Sequence, residues 1–395
     1  MKICMIVLST VKPDIRVEKE IRTLLENGHE IEVIGAAFPD KEEIPLSEVV
    51  QVKEEKKYKI DRIEIRKGGI FKYLEFWKGV KQIFKKENRK YNVIHYHDLN
   101  VLPLVKKFKK KAKYHIYDSH ELFPEMMSET YGRVGLIAFN WLERIYIKQV
   151  HHVITTVEGI GDEMLKKYPG IKISFIHNYP SVIDINISNE RKPKFKADST
   201  KLSVVAWGTV YPNYGYDILV DVVKDISQTV KSSDIEFIII GSGQELEPMK
   251  RRVSENNLEE YFFFLGWTNY YDALAIMKET DLGLCLLQPA YSKHKEFCSP
   301  NRVFDYLATG NLIICSDVDS IKNQFPKNNN FSFFVKPRDV EEIKEKILDV
   351  FEIHKKDSLE KVKKQSYETF VKILNWDKEG EILLKIYDSF NTKEF

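Results

Sequence analysis

Cysteine, net charge and long apolar runs are all scarce in this chain, and each shortage excludes something. Four cysteines in 395 residues (Cys4, Cys285, Cys298 and Cys315) lie in or beside apolar runs and show no metal-ligand spacing. They read as reduced, mostly buried thiols, which suits a cytoplasmic protein. The formal net charge of +2 does not describe a chain that coats nucleic acid. No apolar run reaches the roughly 18 residues that a membrane-spanning helix needs. The first residues run straight into a strand pattern, so no signal peptide is expected. No repeat of short period is present.

What the chain has is enough length for two or three domains, with 43% apolar and 30% charged residues. Charge is uneven along it. Residues 81–113 carry eleven Lys and Arg against Glu87 and Asp98. That excess is either a solvated surface or a basic face towards anionic lipid or substrate. Residues 138–149 form an amphipathic helix, with Leu136, Phe139, Trp141 and Leu142 marking its apolar face. Together these two stretches predict reversible contact of the N-terminal domain with the inner face of the membrane.

Short apolar runs alternate with helical periodicity throughout. Strands are expected at 2–8, 30–35, 58–66, 93–96, 114–117, 153–156 and 173–177, with helices at 15–26 and 71–87 between them. Residues 186–200 are polar and lack a period, so an interdomain linker is placed there. The alternation then restarts at 202–207 and continues through 236–240, 261–265, 282–287 and 312–315, ending in helices at 339–353, 357–373 and 376–390. This order predicts an α/β chain of two doubly wound parallel sheets in series.

The chemistry is expected to centre on residues 296–310. Ser299 is a helix-capping residue and Pro300 suits a first turn. Val303, Phe304 and Leu307 recur at helical spacing, and Gly310 ends the helix. The free N–H groups at such a helix start suit a phosphate, Arg302 adds charge, and Asp305 lies one turn on, where a carboxylate accepts from paired sugar hydroxyls. Gly241-Ser242-Gly243 follows a strand and lets backbone approach a ligand. His120 ends a strand where α/β sheets bind ligands, and Arg16 stands at the end of the first strand. His95 and His97 raise the question of a metal. No nearby carboxylate or cysteine pattern supports one, so no metal or other cofactor is expected.

The ordered runs Ile239-Ile240-Gly241-Ser242-Gly243, Phe264-Leu265-Gly266-Trp267, Asp281-Leu282-Gly283-Leu284 and Ser299-Pro300-Asn301-Arg302-Val303-Phe304-Asp305-Tyr306 resemble the GT-B glycosyltransferases of retaining family 4. Asp14-Ile15-Arg16-Val17-Glu18-Lys19-Glu20 and Tyr117-Asp118-Ser119-His120-Glu121 resemble a subgroup that decorates surface polysaccharides. The resemblance implies two Rossmann-like domains facing a cleft. Residues 1–185 would bind the acceptor and 198–375 the nucleotide sugar, with helix 376–395 packing back on the first domain. It implies donor binding by Gly208, Thr209, Gly241, Ser242, Gly243, Gly266, Trp267, Ser299, Pro300, Asn301 and Asp305, and catalytic roles for His120, Arg302 and Arg16. Transfer of a UDP- or GDP-linked sugar to a glycan or lipid-linked acceptor follows from the resemblance, with retention and without metal. Three positions depart from the pattern. Asp305 and Phe297 stand where two glutamates are usual, Thr209 follows Gly208 where Arg is usual, and Tyr214 precedes Gly215 where Lys is usual. The lost basic pair keeps a non-catalytic binding protein open as an alternative, and a sugar-nucleotide epimerase, which can share the same two-domain plan, stays open as another.

Overall fold

The computed structural model describes residues 1–40, 43–53, 55–86, 88–288 and 296–391. The chain forms two compact units, residues 1–178 together with the segment from Glu379 onward, and Tyr179–Lys378. Among the described residues, no helix is long and apolar enough to cross a membrane.

The first unit is built on an eight-stranded sheet of order β3-β4-β2-β1-β5-β6-β7-β8. Its strands are β1 (Lys2–Ile6), β2 (Glu30–Ala37), β3 (Ser47–Lys53), β4 (Lys56–Glu64), β5 (Tyr91–His97), β6 (Ala112–Ser119), β7 (His152–Thr155) and β8 (Ile173–Phe175). All neighbours are parallel except β3 and β4. An apolar run makes β1 a buried central strand, and β5 beside it is buried from Val93 to His97 with His95 and His97 among its buried residues. Helix Ile15–Glu26 starts at Asp14, whose side chain accepts from the Val17 N–H at 3.4 Å. It buries Val17, Ile21, Leu24 and Leu25, and on the same side Arg16, Lys19 and Glu20. Three charged residues in a buried helix face need partners, and their positions fix where the chemistry of this unit lies.

The chain leaves the first unit at Asn178, not at residue 185 or within 186–200. Residues Val182–Asn189 are helical because Ser181 and Asp184 form a reciprocal capping box. The alternating Ile-Asp-Ile-Asn-Ile of that stretch hides the helix from a periodicity reading.

The second unit holds a six-stranded, wholly parallel sheet of order β11-β10-β9-β12-β13-β14. These are β9 (Leu202–Trp207), β10 (Ile235–Ile240), β11 (Phe262–Gly266), β12 (Leu282–Cys285), β13 (Leu312–Ser316) and β14 (Ser332–Val335). The final helix, Trp376–Asn391, belongs to the first unit from Glu379 onward. There Glu379 accepts from the His177 N–H at 2.8 Å, the Tyr387 hydroxyl bonds His95 Nδ1 at 3.0 Å, and Phe390 stacks on Tyr114 with centroids 4.4 Å apart.

Candidate functional site

The carboxyl ends of β9 and β10 are locked together by glycine. Gly241 and Gly243 have φ of 146° and 158°, and a Cβ on either would lie 1.8 Å from the Gly208 carbonyl oxygen or 2.2 Å from that of Val210. Their freedom therefore serves the close approach of two backbone loops. Helix Leu246–Glu255 begins only after a further turn, so Gly243 does not sit at its N-terminus.

Onto this junction comes Arg302, from the first turn of helix Asn301–Thr309. Its guanidinium carbon lies 4.7 Å from the centroid of the Tyr214 ring, and the guanidinium lies 3.2 Å from where a Gly208 Cβ would stand. Burial disfavours its charge, but the phenols of Tyr216, Tyr306 and Tyr214 and the Cys285 thiol outweigh that and keep the group fully protonated. Among the described residues no carboxylate lies in ion-pair reach of Arg302. The arrangement is a cation held over the Tyr214 ring, beside the loop that carries the uncharged Thr209.

Asp305 is placed differently from its predicted role. It is 3% exposed, Oδ2 accepts from Trp207 Nε1 at 3.1 Å, and Oδ1 accepts from the Tyr270 hydroxyl at 3.0 Å. Both oxygens are engaged inside the unit, which corrects the reading of Asp305 as an open acceptor for sugar hydroxyls. Ser299 does not cap the helix either. Pro300 is the residue at the cap position, and Ser299 Oγ accepts from Gln324 Nε2 at 3.0 Å. Gly266 has a φ of 69°, and the following Trp267 is 76% exposed, so it is not a core tryptophan. Lys293 and Lys295, other cations near this stretch in sequence, lie outside the described residues.

In the first unit, His120 stands just beyond β6 with its side chain 22% exposed. Nε2 is 3.2 Å from Asp118 Oδ2, Nδ1 is 3.5 Å from Asp98 Oδ2, and the backbone carbonyl accepts from Thr156 Oγ1 at 2.9 Å. Burial opposes protonation, but the Asp98 and Asp118 carboxylates prevail and push the imidazole up to about 10. His120 is therefore a cation and a proton donor at neutral pH, not a general base.

Arg16 is not free to reach a phosphate. Nε and Nη2 clasp the two Asp118 oxygens at 3.0 and 2.9 Å, and Nη1 donates to the Ile176 carbonyl at 3.0 Å. The side chain is 4% exposed. Burial alone would raise the Asp118 carboxyl, but Arg16 and His120 hold it well below the usual range. The catalytic role predicted for Arg16 is thus replaced by that of a buried counter-ion.

The fold also supplies the carboxylates whose absence from the sequence pattern argued against a metal. His95 and His97 are alternate residues on β5 and so share one face of the sheet. Asp118 on β6 pairs in register with His97, and Glu20 descends from helix Ile15–Glu26. All four are buried, and one ligand atom from each lies within 4.8 Å of the others. Glu20 is pushed well above the usual carboxyl range by burial and by the Asp118 charge, against the pull of Arg16. Burial pulls His95 down to about 4 and His97 well below the imidazole range.

Sequence reasoning passed over Tyr214 as a support, Trp207 and Tyr270 as partners of Asp305, and Glu20 as a member of the buried cluster. Only Glu20 left a signal, its i,i+4 spacing from Arg16 on an otherwise apolar helix face.

Two parallel Rossmann-like units, the second with its glycine junction and stacked arginine, define the GT-B class of fold. Residues 16–179 match Glycosyltransferase Family 4 and residues 187–369 match Glycosyl transferases group 1. Between them these cover most of the sequence, and the chain belongs to this glycosyltransferase family. No curated protein matches it in sequence. Among solved structures, sucrose-phosphate synthase from Thermosynechococcus elongatus is 14% identical with a TM-score of 0.73, over 99% of each chain. Anabaena HepE in complex with UDP-glucose is 14% identical with a TM-score of 0.69, over 98% of this chain and 100% of that one. The catalytic domain of starch synthase IV from Arabidopsis thaliana, bound to ADP and acarbose, is 12% identical with a TM-score of 0.69, over 99% of each chain. At such identities the likeness is one of fold.

Proposed function

We propose that this glycosyltransferase moves a sugar from a nucleotide-sugar donor, UDP- or GDP-linked, to a glycan or lipid-linked acceptor in cell-surface polysaccharide assembly. The proposed transfer retains configuration and uses no metal at the reacting centre. The observation that carries the reading is Arg302, a cation without a carboxylate partner among the described residues, set on the Gly208 loop where the family's usual Arg and Lys are replaced by Thr209 and Tyr214. A leaving diphosphate needs that charge compensated. A guanidinium supplies it through paired donors.

In the proposed reaction the bond from the anomeric carbon to the diphosphate oxygen breaks first. The acceptor hydroxyl then bonds that carbon from the same face, and its proton passes to the departing phosphate. Arg302 and the backbone N–H groups at Asn301 and Gly243 stabilise the negative charge that develops. His120, as a protonated imidazole, donates a hydrogen bond to substrate. UDP is favoured as the carrier because HepE is solved with UDP-glucose. Acceptor binding is assigned to the first unit.

The proposed membrane contact keeps Trp141 alone from the face that the sequence suggests. In helix Phe123–Tyr146, Leu136, Phe139 and Leu142 are half-buried, whereas Val134, Ile137 and Trp141 are exposed at 79%, 70% and 63%. Phe71 and Leu74, at the start of helix Phe71–Lys86, are exposed as well. An apolar ridge beside basic residues suits an anionic bilayer, and flotation with liposomes should rise with anionic lipid and fall with salt. Flotation indifferent to lipid charge would remove the membrane from the reading.

The direct test is a thermal-shift series with UDP, GDP, ADP and TDP. A bound nucleotide at a hundredfold excess over its dissociation constant stabilises the native state by roughly 2.7 kcal/mol. One nucleotide should shift the wild type and not Arg302→Ala. No shift with any of the four overturns the donor assignment. A shift without sugar transfer or hydrolysis leaves the binding-protein alternative that Thr209 and Tyr214 suggest. Conversion of the nucleotide sugar without acceptor would identify an epimerase.

A further inference from the structure

We propose that Glu20, His95, His97 and Asp118 hold one divalent transition-metal ion of the zinc class, as a closed structural centre inside the first unit. His97 Nδ1 lies 3.6 Å and His95 Nε2 lies 4.0 Å from Asp118 Oδ2. Glu20 Oε2 is 3.9 Å from His97 Nε2, so His97 turns one nitrogen to each carboxylate and an ion would take one of the two. One ligand atom from each residue lies within 4.8 Å of the others, and a tetrahedral ion with bonds of about 2.0–2.2 Å separates its ligands by roughly 3.3–3.6 Å, so the group would contract onto the ion. Two imidazoles and two carboxylates are a donor set that zinc accepts.

An independent observation is that Glu20, His95 and His97 leave buried polar atoms without partners, while Asp118 is held by Arg16 and His120. Both Glu20 oxygens, both His97 nitrogens and His95 Nε2 are buried with no hydrogen-bond partner among the described residues. Arg16 Nε stands 3.3 Å from Glu20 Oε1, but without hydrogen-bond alignment. Five orphaned polar atoms around one point are costly unless something occupies that point. The surroundings are also those of a metal centre. The Tyr387 hydroxyl takes His95 Nδ1 and leaves Nε2 facing inward, while Arg16 and His120 hold Asp118 from outside. With four protein ligands and no exposure, the site has no open position for substrate, so it is structural and meets the proposed transfer site only through the contact of Asp118 with His120.

The test uses the full chain, stripped with chelator and titrated with Co²⁺. One equivalent should bind and give the intense visible bands of a four-coordinate site, and Zn²⁺ should displace it and raise the melting temperature. His97→Ala and Glu20→Gln should each lose the bands while remaining folded by circular dichroism. If either variant fails to fold, X-ray absorption on the wild type decides, with two imidazoles and two oxygens expected. A folded wild type that binds neither Co²⁺ nor Zn²⁺ would overturn the proposal and leave ordered water as the occupant. Bands that persist in both variants would overturn it too, by placing the metal elsewhere.

Discussion

In the first unit Arg16 spends its guanidinium bonds on Asp118 and on the Ile176 carbonyl, both within that unit. In the second unit Arg302 lies over the Tyr214 ring with Tyr216, Tyr306 and the Cys285 thiol nearby, and with no carboxylate in ion-pair reach among the described residues. Both arginines sit at the carboxyl end of a sheet, and both were candidates to meet a phosphate. An arginine whose partners are already inside the fold is committed to stability. One that is supported but not neutralised is available to an anion that arrives from outside. Burial alone does not separate the two cases; the partner list does.

The comparison breaks most sharply at Arg16. Arg16→Ala leaves the buried Asp118 with His120 as its remaining charged partner and should destabilise the protein by about 3–5 kcal/mol in urea unfolding. Nucleotide affinity of the molecules that remain folded should not change. A stable Arg16→Ala protein with weakened nucleotide binding would show that Arg16 and Arg302 do the same work. The converse holds for Arg302→Ala, which should lower transfer by ~10²–10³ and leave the unfolding midpoint close to wild type. Arg302→Lys keeps the charge and loses the fork, so turnover should fall more than affinity. Near-normal transfer by Arg302→Ala would mean that another cation neutralises the diphosphate.

Asp305 sharpens the contrast within the second unit. Replacing it with Ala strands the Trp207 and Tyr270 donors and should cost about 1–3 kcal/mol of stability. Calorimetry with nucleotide then tells whether its carboxylate also changes partners for a ligand. Unchanged affinity confines Asp305 to packing, and a loss beyond the stability change returns it to the donor site.

The smallest effect concerns pH. His177 faces Glu379 at 3.2 Å and Glu158 at 3.5 Å, and these carboxylates overcome burial to push it up to about 9. Its folded value lies above the unfolded value of about 6.5. Its contribution is therefore complete below pH 6.5 and is lost as pH rises through about 9. Glu158 is mostly exposed and screened, so the contribution is on the order of 1 kcal/mol. His177→Gln should flatten the stability profile across that window. An unchanged slope would show that the exposed acid screens the pair completely.

Much of the fold was legible because buried parallel strands are unbroken apolar runs. The strand at Leu202–Trp207 was readable to the residue. Strand β3, Ser-Glu-Val-Val-Gln-Val-Lys, escaped because it is an edge strand with polar residues throughout. In the site, the position of His120 at the end of a strand was readable. The engagement of Asp305 was not, because Trp207 and Tyr270 come from elements 98 and 35 residues away. The gathering of Glu20, His95, His97 and Asp118 was equally hidden, since it depends on β1, β5 and β6 lying side by side.

The helix Trp376–Asn391 carries one further consequence, which concerns the order of synthesis. The first unit is interrupted in sequence by the whole of the second, yet it takes Glu379, Tyr387 and Phe390 as partners for His177, His95 and Tyr114. A nascent chain emerging from the ribosome exposes the first unit's sheet early and cannot supply these three contacts until some two hundred residues later. The second unit, being continuous, has all its parts as soon as it is made. The half that starts first therefore finishes last, and until then the flank of its sheet that this helix covers stands open to whatever holds unfinished chains.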